Sequence, residues 1–250
     1  MKMLAAESPA DPVSSQAVAL LFETHVHTIE PKDKLRLQYL SKLTTHRVWV
    51  PQEERAPKHQ TVIIFDWDDT LLFTSFVQQA NGRPIPPAMD RLLQRIEQSA
   101  LQLLESALGL GHTFIITNAM EGWVQESAKR FMPSLLPILE KVSIISARST
   151  QEKKGNTDHT QWKVRAFLEM GRQLDSQIIT NLVSIGDSNF ELEAAQALGA
   201  RFAEGFVKTV KLKEMPSPQE LAKQHELLVP KLRSIVEKAN NLKVKLERSH

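Results

Sequence analysis

Asp66, Asp68, Asp69 and Thr70 follow directly on the unbroken apolar run Val62 to Phe65. Carboxylates crowded at the end of a buried strand are costly without a cation. A hard divalent ion such as magnesium, which takes oxygen ligands, is the natural compensation. One carboxylate can attack as a nucleophile while another moves protons. The chemistry to be expected is therefore metal-assisted transfer of a group to or through a carboxylate.

The elements that must position these acids can be read outward from them. Val62 to Phe65 is short and rich in β-branched residues, as expected of a strand buried on both faces of a parallel sheet. Thr113 to Asn118, Lys141 to Ser146 and Asn181 to Ser188 repeat the pattern of an apolar run ending in small polar or acidic residues. Arg201 to Leu212 is expected as a last, irregular strand. Helical patterns lie between them: Ala88 to Leu108, with Gly109 and Gly111 as stop signals; Ala119 to Phe131; Pro133 to Leu139; Thr160 to Gly171; and Phe190 to Leu198, capped by Gly199. Asn81-Gly82 suits a tight turn, and Ala147 to His159 reads as a surface loop. Strands alternating with helices imply right-handed βαβ units, hence a Rossmann-like α/β three-layer sandwich with a mainly parallel sheet. Ligands of open α/β sheets bind outside the carboxyl ends of the strands, where Asp66, Asp68, Thr117, Asn118 and Asp187 would all lie.

That inventory suits phosphoryl transfer. It holds a carboxylate nucleophile, a second carboxylate for acid–base work, a hydroxyl and amides for phosphate oxygens, a lysine at Lys163 and acids for a metal. The ordered set Asp66-Trp-Asp68-Asp-Thr70, Thr117, Lys163 and Gly186-Asp187 with Glu191 resembles the four motifs of the haloacid dehalogenase superfamily, over roughly residues 60–212. The resemblance implies that Asp66 forms an aspartyl-phosphate while Asp68 protonates the leaving oxygen and later activates water. It implies magnesium held by the Asp66 carboxylate, the Asp68 backbone carbonyl and Asp187, with Glu191 acting indirectly. Thr117 and the Asn118 amide would bind phosphoryl oxygens, and Lys163 would neutralise nucleophile and phosphate. An acid two residues after the nucleophile is the phosphatase and phosphomutase pattern, so dehalogenation is disfavoured. Glu191 stands where many members carry aspartate. Asp69, Ser188 and Asn189 read as turn or capping residues, and Trp67 and Trp162 as packing residues.

The intervals between motifs leave no room for a sizeable cap domain, which resembles the superfamily's capless members. The expected function is a magnesium-dependent phosphomonoester phosphatase with an open site, for a phosphoprotein or a small phosphometabolite. The alternatives are a catalytically silent binding or regulatory protein of the same fold, and a phosphotransferase, which the lack of a cap to exclude water disfavours.

Composition narrows the remaining classes. A formal charge of +2 on 250 residues does not point to nucleic acid. The absence of cysteine excludes disulfides, thiol nucleophiles and cysteine-bound zinc. No apolar run reaches the roughly 18–20 residues of a membrane span, and Glu7 and Asp11 suit neither a secretory nor a mitochondrial leader, so a cytoplasmic location is expected. The chain divides into an N-terminal extension over 1–59, partly disordered; a catalytic core over 60–214; and a helical C-terminal extension over 215–250. In the first, Lys32 to Thr45 suits a short amphipathic helix, Arg47 to Pro51 an extended segment and Gln52 to Gln60 a linker, with His25 and His27 read as surface residues. In the last, Ser217-Pro218 with Glu220 forms a capping box, Pro230 divides the helix, and Lys238 to Arg248 reads as a solvated helix face. Oligomeric state is left open.

Overall fold

The computed structural model describes residues 18–23, 58–80, 82–174, 179–202 and 205–248. The expectations for 1–17, for the helix and extended segment between 32 and 51, for His25 and His27, for the linker up to 57, and for Asn81 lie outside the described residues.

Strands β1 (Val18–Glu23), β2 (Thr61–Phe65), β3 (His112–Thr117), β4 (Ser143–Ser146), β5 (Asn181–Gly186), β6 (Phe206–Lys211) and β7 (Leu242–Arg248) form one sheet. Its order is β1-β7-β6-β5-β2-β3-β4, with β2 to β7 parallel and β1 antiparallel on β7 at the edge. From β2 the chain winds outward through β3 to β4, then returns to the other side of β2 to build β5, β6 and β7. The sheet therefore changes direction at β2, and a crevice opens at the carboxyl ends of β2, β3 and β5.

The helices are α1 (Thr74–Gln79), α2 (Asp90–Leu110), α3 (Trp123–Phe131), α4 (Leu136–Leu139), α5 (Ala147–Glu152), α6 (His159–Gln173), α7 (Asn189–Gly199), α8 (Pro218–Leu228) and α9 (Leu232–Glu237). They cover both faces of the sheet. Ile63 and Phe65 of β2 join the core formed with α2, α3, α8 and α9, whereas Val62 and Ile64 join that formed with α6 and α7. This alternation, with every residue of β2 buried, is why the strand reads as an unbroken apolar run. Among the described residues, the chain between β2 and β4 holds only β3, short connections and helices of the sandwich, so no cap domain is inserted there. No helix among the described residues is long and apolar enough to cross a membrane.

Four expectations need correction. Ala147 to Glu152 is a helix, capped by Ser146 whose side chain accepts from the Ser149 amide, and only the residues after it form the connection. Gly109 does not stop α2, which runs on to Leu110 with Gly111 at its cap. The strand expected over Arg201 to Leu212 begins only at Phe206. The segment Lys238 to Arg248 is largely strand β7, not a helix face, and pairs with β6 and β1. Leu242, Val244 and Leu246 are buried while Lys243 is half-buried and Lys245 exposed, the period-two pattern of a strand. Residues 242–248 thus belong to the sheet rather than extend from it. The Ser217 capping box and the division of the last helix around Pro230 are both present.

Lys208 in β6 is 1% exposed, and its ammonium donates to the carbonyl of Val236, which also receives the Asn181 amide at 2.9 Å. Burial alone pushes this lysine down to about 8. A lysine whose folded-state value lies below its unfolded value weakens the fold whenever it is charged. The cost is fully present below pH 8 and disappears as pH rises toward the ordinary value of 10.5. Lys208→Met leaves Val236 its Asn181 donor and should raise stability at neutral pH by about 1–3 kcal/mol. The gain should shrink between about pH 8 and 10.5. Chemical denaturation of both chains across that range measures it; an unchanged or lowered stability at pH 7 contradicts it.

Candidate active site

The site is built at the carboxyl ends of β2, β5 and β3, where the chain leaves the sheet. Asp66 is the first residue after β2 and is 5% exposed; its amide still donates to Ile185 of β5 at 2.9 Å. Lys163, in the first turns of α6 and 3% exposed, reaches Asp66 Oδ1 at 2.7 Å and also pairs with Glu191 Oε1. Glu191 gives its other oxygen to Ser188, accepting from its amide at 2.9 Å and from its hydroxyl, within the capping box of α7. A Cβ at Gly186 would collide with the Glu191 side chain, so glycine at the end of β5 makes room for it.

Carboxylate oxygens of Asp66, Asp187 and Glu191 all lie within 4.8 Å of one another. Burial, and then the charges of Glu191, Asp187 and Asp68, hold Asp66 well above the usual carboxylate range despite Lys163. Asp187 is pushed up to about 7, first by burial and then by Glu191. Lys163 stays charged: burial opposes its ammonium, but Asp66 and Glu191 outweigh this and raise it above the ordinary lysine value. Glu191, equally opposed by burial, is lowered by Lys163 and Ser188. One ammonium thus satisfies Glu191 and leaves Asp66 and Asp187 short of positive charge. An all-oxygen donor set with uncompensated negative charge fits a hard divalent cation.

Asp68 faces away from this cluster. Its Oδ1 accepts from Thr74 Oγ1 at 2.7 Å and Trp123 Nε1 at 2.8 Å, and its Oδ2 accepts from Thr117 Oγ1 at 2.9 Å. Thr117, expected to bind phosphoryl oxygens, gives its only hydroxyl proton to Asp68 and accepts from the Ala119 amide at 3.0 Å. A cavity of about 480 Å³ opens beside Asp68 and Asn118, lined also by Thr74, Met120, Trp123 and Arg148. The Asn118 side-chain oxygen is buried with no partner among the described residues.

The turn between β2 and α1 is fixed from both sides. Asp69, at a positive φ of 54°, accepts from the Ser75 amide at 2.8 Å and from its hydroxyl, the structural role its position suggests. His225 of α8, fully buried, directs Nε2 at the Thr70 carbonyl at 2.7 Å. A carbonyl only accepts, so that nitrogen carries the proton. Burial outweighs the backbone contacts and holds His225 below the ordinary histidine value, keeping the ring neutral. Lys211 at the end of β6 donates to the carbonyl of Asp187 and to Leu212 at 3.3 Å.

Sequence reasoning named Asp66, Asp68, Thr117, Asn118, Lys163, Asp187 and Glu191, and all seven lie at this end of the sheet. It overlooked Thr74, Trp123, Lys211 and His225. Thr74 and Trp123 each open a helix just beyond a strand end that carries a site residue, and that position is the available signal. Lys211 and His225 come from elements near the end of the chain, which no local pattern ties to the site. No family model, curated protein or solved structure matches this chain.

Asp187 is raised above its unfolded value, so its protonated form favours folding and that contribution is lost as pH climbs from about 4 through 7. A cation bound to the ionised group restores it. Magnesium should therefore raise the melting temperature more near pH 8 than near pH 5. Asp187→Asn should remove most of that gain and raise the metal-free melting temperature near pH 8. Equal magnesium effects at both pH values contradict the assignment.

Proposed function

We propose that this chain is a magnesium-dependent phosphomonoester phosphatase of the haloacid dehalogenase type, working through an aspartyl-phosphate on Asp66. One observation carries the reading: Asp66 sits buried against the Lys163 ammonium, and two residues on Asp68 is held by three donors at the edge of an open cavity. A nucleophile and a proton carrier separated in this way can act on opposite sides of one phosphorus atom.

In the proposed first step an Asp66 oxygen bonds to phosphorus, the ester P–O bond breaks, and Asp68 gives its proton to the departing alcohol oxygen. In the second step Asp68 takes a proton from water, the water oxygen bonds to phosphorus, and the bond to Asp66 breaks. Ester and water become alcohol and phosphate, and both carboxyl groups return to their starting state. Lys163 offsets negative charge shared by Asp66 and the phosphoryl group. Asp66 and Asp187, with the backbone carbonyl of Asp68, would hold magnesium, which would supply Lewis acidity to keep Asp66 ionised and draw charge from the phosphoryl oxygens. Both Glu191 oxygens are engaged, so it supports the site by anchoring Lys163. The open cavity accepts the alcohol portion of the substrate, whether a phosphoprotein side chain or a small phosphometabolite.

Turnover of an aryl phosphate should require magnesium, fall to background in Asp66→Asn, and drop about 10²–10⁴-fold in Asp68→Asn. Activity that is independent of magnesium, or unchanged in Asp66→Asn, contradicts the mechanism. Magnesium binding with no turnover on a broad panel of phosphate esters would favour a binding protein that keeps the fold.

A further inference from the structure

Asp68 is oriented from one side by a residue that no motif contains. Trp123 opens α3 directly after Gly122, which has a φ of 90°. Its indole N–H donates to Asp68 Oδ1 at 2.8 Å, and the same ring lines the cavity beside that carboxylate. The helix is fixed in this place by a second contact. Trp67, the immediate neighbour of Asp68, donates its indole N–H to Ser127 Oγ at 3.0 Å, and Ser127 in turn donates to the Trp123 carbonyl at 2.6 Å.

The two carboxylate oxygens of Asp68 are not equivalent in this setting. A carboxylate oxygen offers about two in-plane acceptor positions. Oδ1 fills both, with Thr74 and Trp123, whereas Oδ2 fills one, with Thr117. Only Oδ2 has a position left for a proton to be exchanged with substrate or water.

We infer that Trp123 is a positioning residue for proton transfer: together with Thr74 it saturates Oδ1 of Asp68, so that Oδ2 carries the proton to the leaving alcohol. This rests on the phosphatase reading and adds which oxygen does the work and what holds it. The proton passes from Oδ2 to the alcohol oxygen as its bond to phosphorus breaks, and Oδ2 takes a proton back from the attacking water. When Trp123 loses its N–H, Asp68 can turn its vacated Oδ1 toward substrate, and the fraction of molecules aimed correctly falls.

The dependence on the leaving group separates this role from a merely structural one. The alkoxide of glycerol 2-phosphate must receive a proton as it departs from phosphorus, whereas 2,4-dinitrophenyl phosphate releases dinitrophenolate, a stable anion that needs none. Trp123→Phe keeps the ring and deletes the donor. Its kcat/KM should fall about tenfold or more on glycerol 2-phosphate and less than about twofold on the dinitrophenyl ester. Thr74→Val, which deletes the other donor to Oδ1, should give the same split. Ser127→Ala, which loosens the hold on the Trp123 carbonyl, should give a weaker split in the same direction. In the intact chain, the Trp123 indole N–H resonance should shift in Asp68→Asn, a readout that needs no change at Trp123. Equal losses on the two esters, no loss on either, or an unmoved indole resonance overturns the inference while leaving the phosphatase reading in place. Failure of the unaltered chain to hydrolyse either ester removes that reading and this one with it.

Discussion

Lys163 gives its ammonium to Asp66 and to Glu191 in a place from which water is almost excluded. Burying charge is tolerable only when partners compensate it, and breaking such a pair leaves an uncompensated ion. Here the compensation is incomplete, because Asp187 lies against the same group and Asp68 adds its field to Asp66. The shortage of positive charge ties the elements together. The sheet order brings the ends of β2 and β5 side by side, Gly186 makes room for Glu191, and Glu191 keeps Lys163 charged and in place. What the protein alone does not neutralise is a pair of oxygen donors suited to a divalent cation.

A second constraint keeps Asp68 apart from this crowd. Asp68 turns toward the cavity because Thr74, Trp123 and Thr117 each give it a hydrogen bond, from α1, α3 and β3 respectively. The backbone between the two carboxylates is held by the Asp69 turn and by His225 from the far end of the chain. Residues that come last in the sequence thus fix the geometry of those that come early, through α8 packed on α2 and β7 paired with β6.

The middle of the parallel sheet was legible because β2 and β5 are buried throughout and β3 over most of its length, so they read as apolar runs ending at the crevice. The error at β7 has a clear cause. Its lysines suggest a solvated helix, but Leu242, Val244 and Leu246 alternate strictly with polar residues, and period outranks composition in deciding between strand and helix. Helix α5 was missed because every residue in it after Ala147 is polar, the buried Ser149 and Gln151 included, so it carries no apolar stripe, while its Ser146 cap lies in a strand end. Of the site, the acids and Lys163 were legible from order and spacing. The donors to Asp68 were not, since a tryptophan at a helix start looks like core packing until the fold brings its N–H to a carboxylate 55 residues away in sequence.

In the proposed mechanism Asp66 takes the phosphoryl group. Acid quenching during turnover of a phosphate ester in magnesium, followed by peptide mass analysis, should find a labile phosphoryl adduct on Asp66 that is absent in Asp66→Asn. Hydrolysis that proceeds with no adduct on Asp66, or with the adduct on another residue, would contradict it.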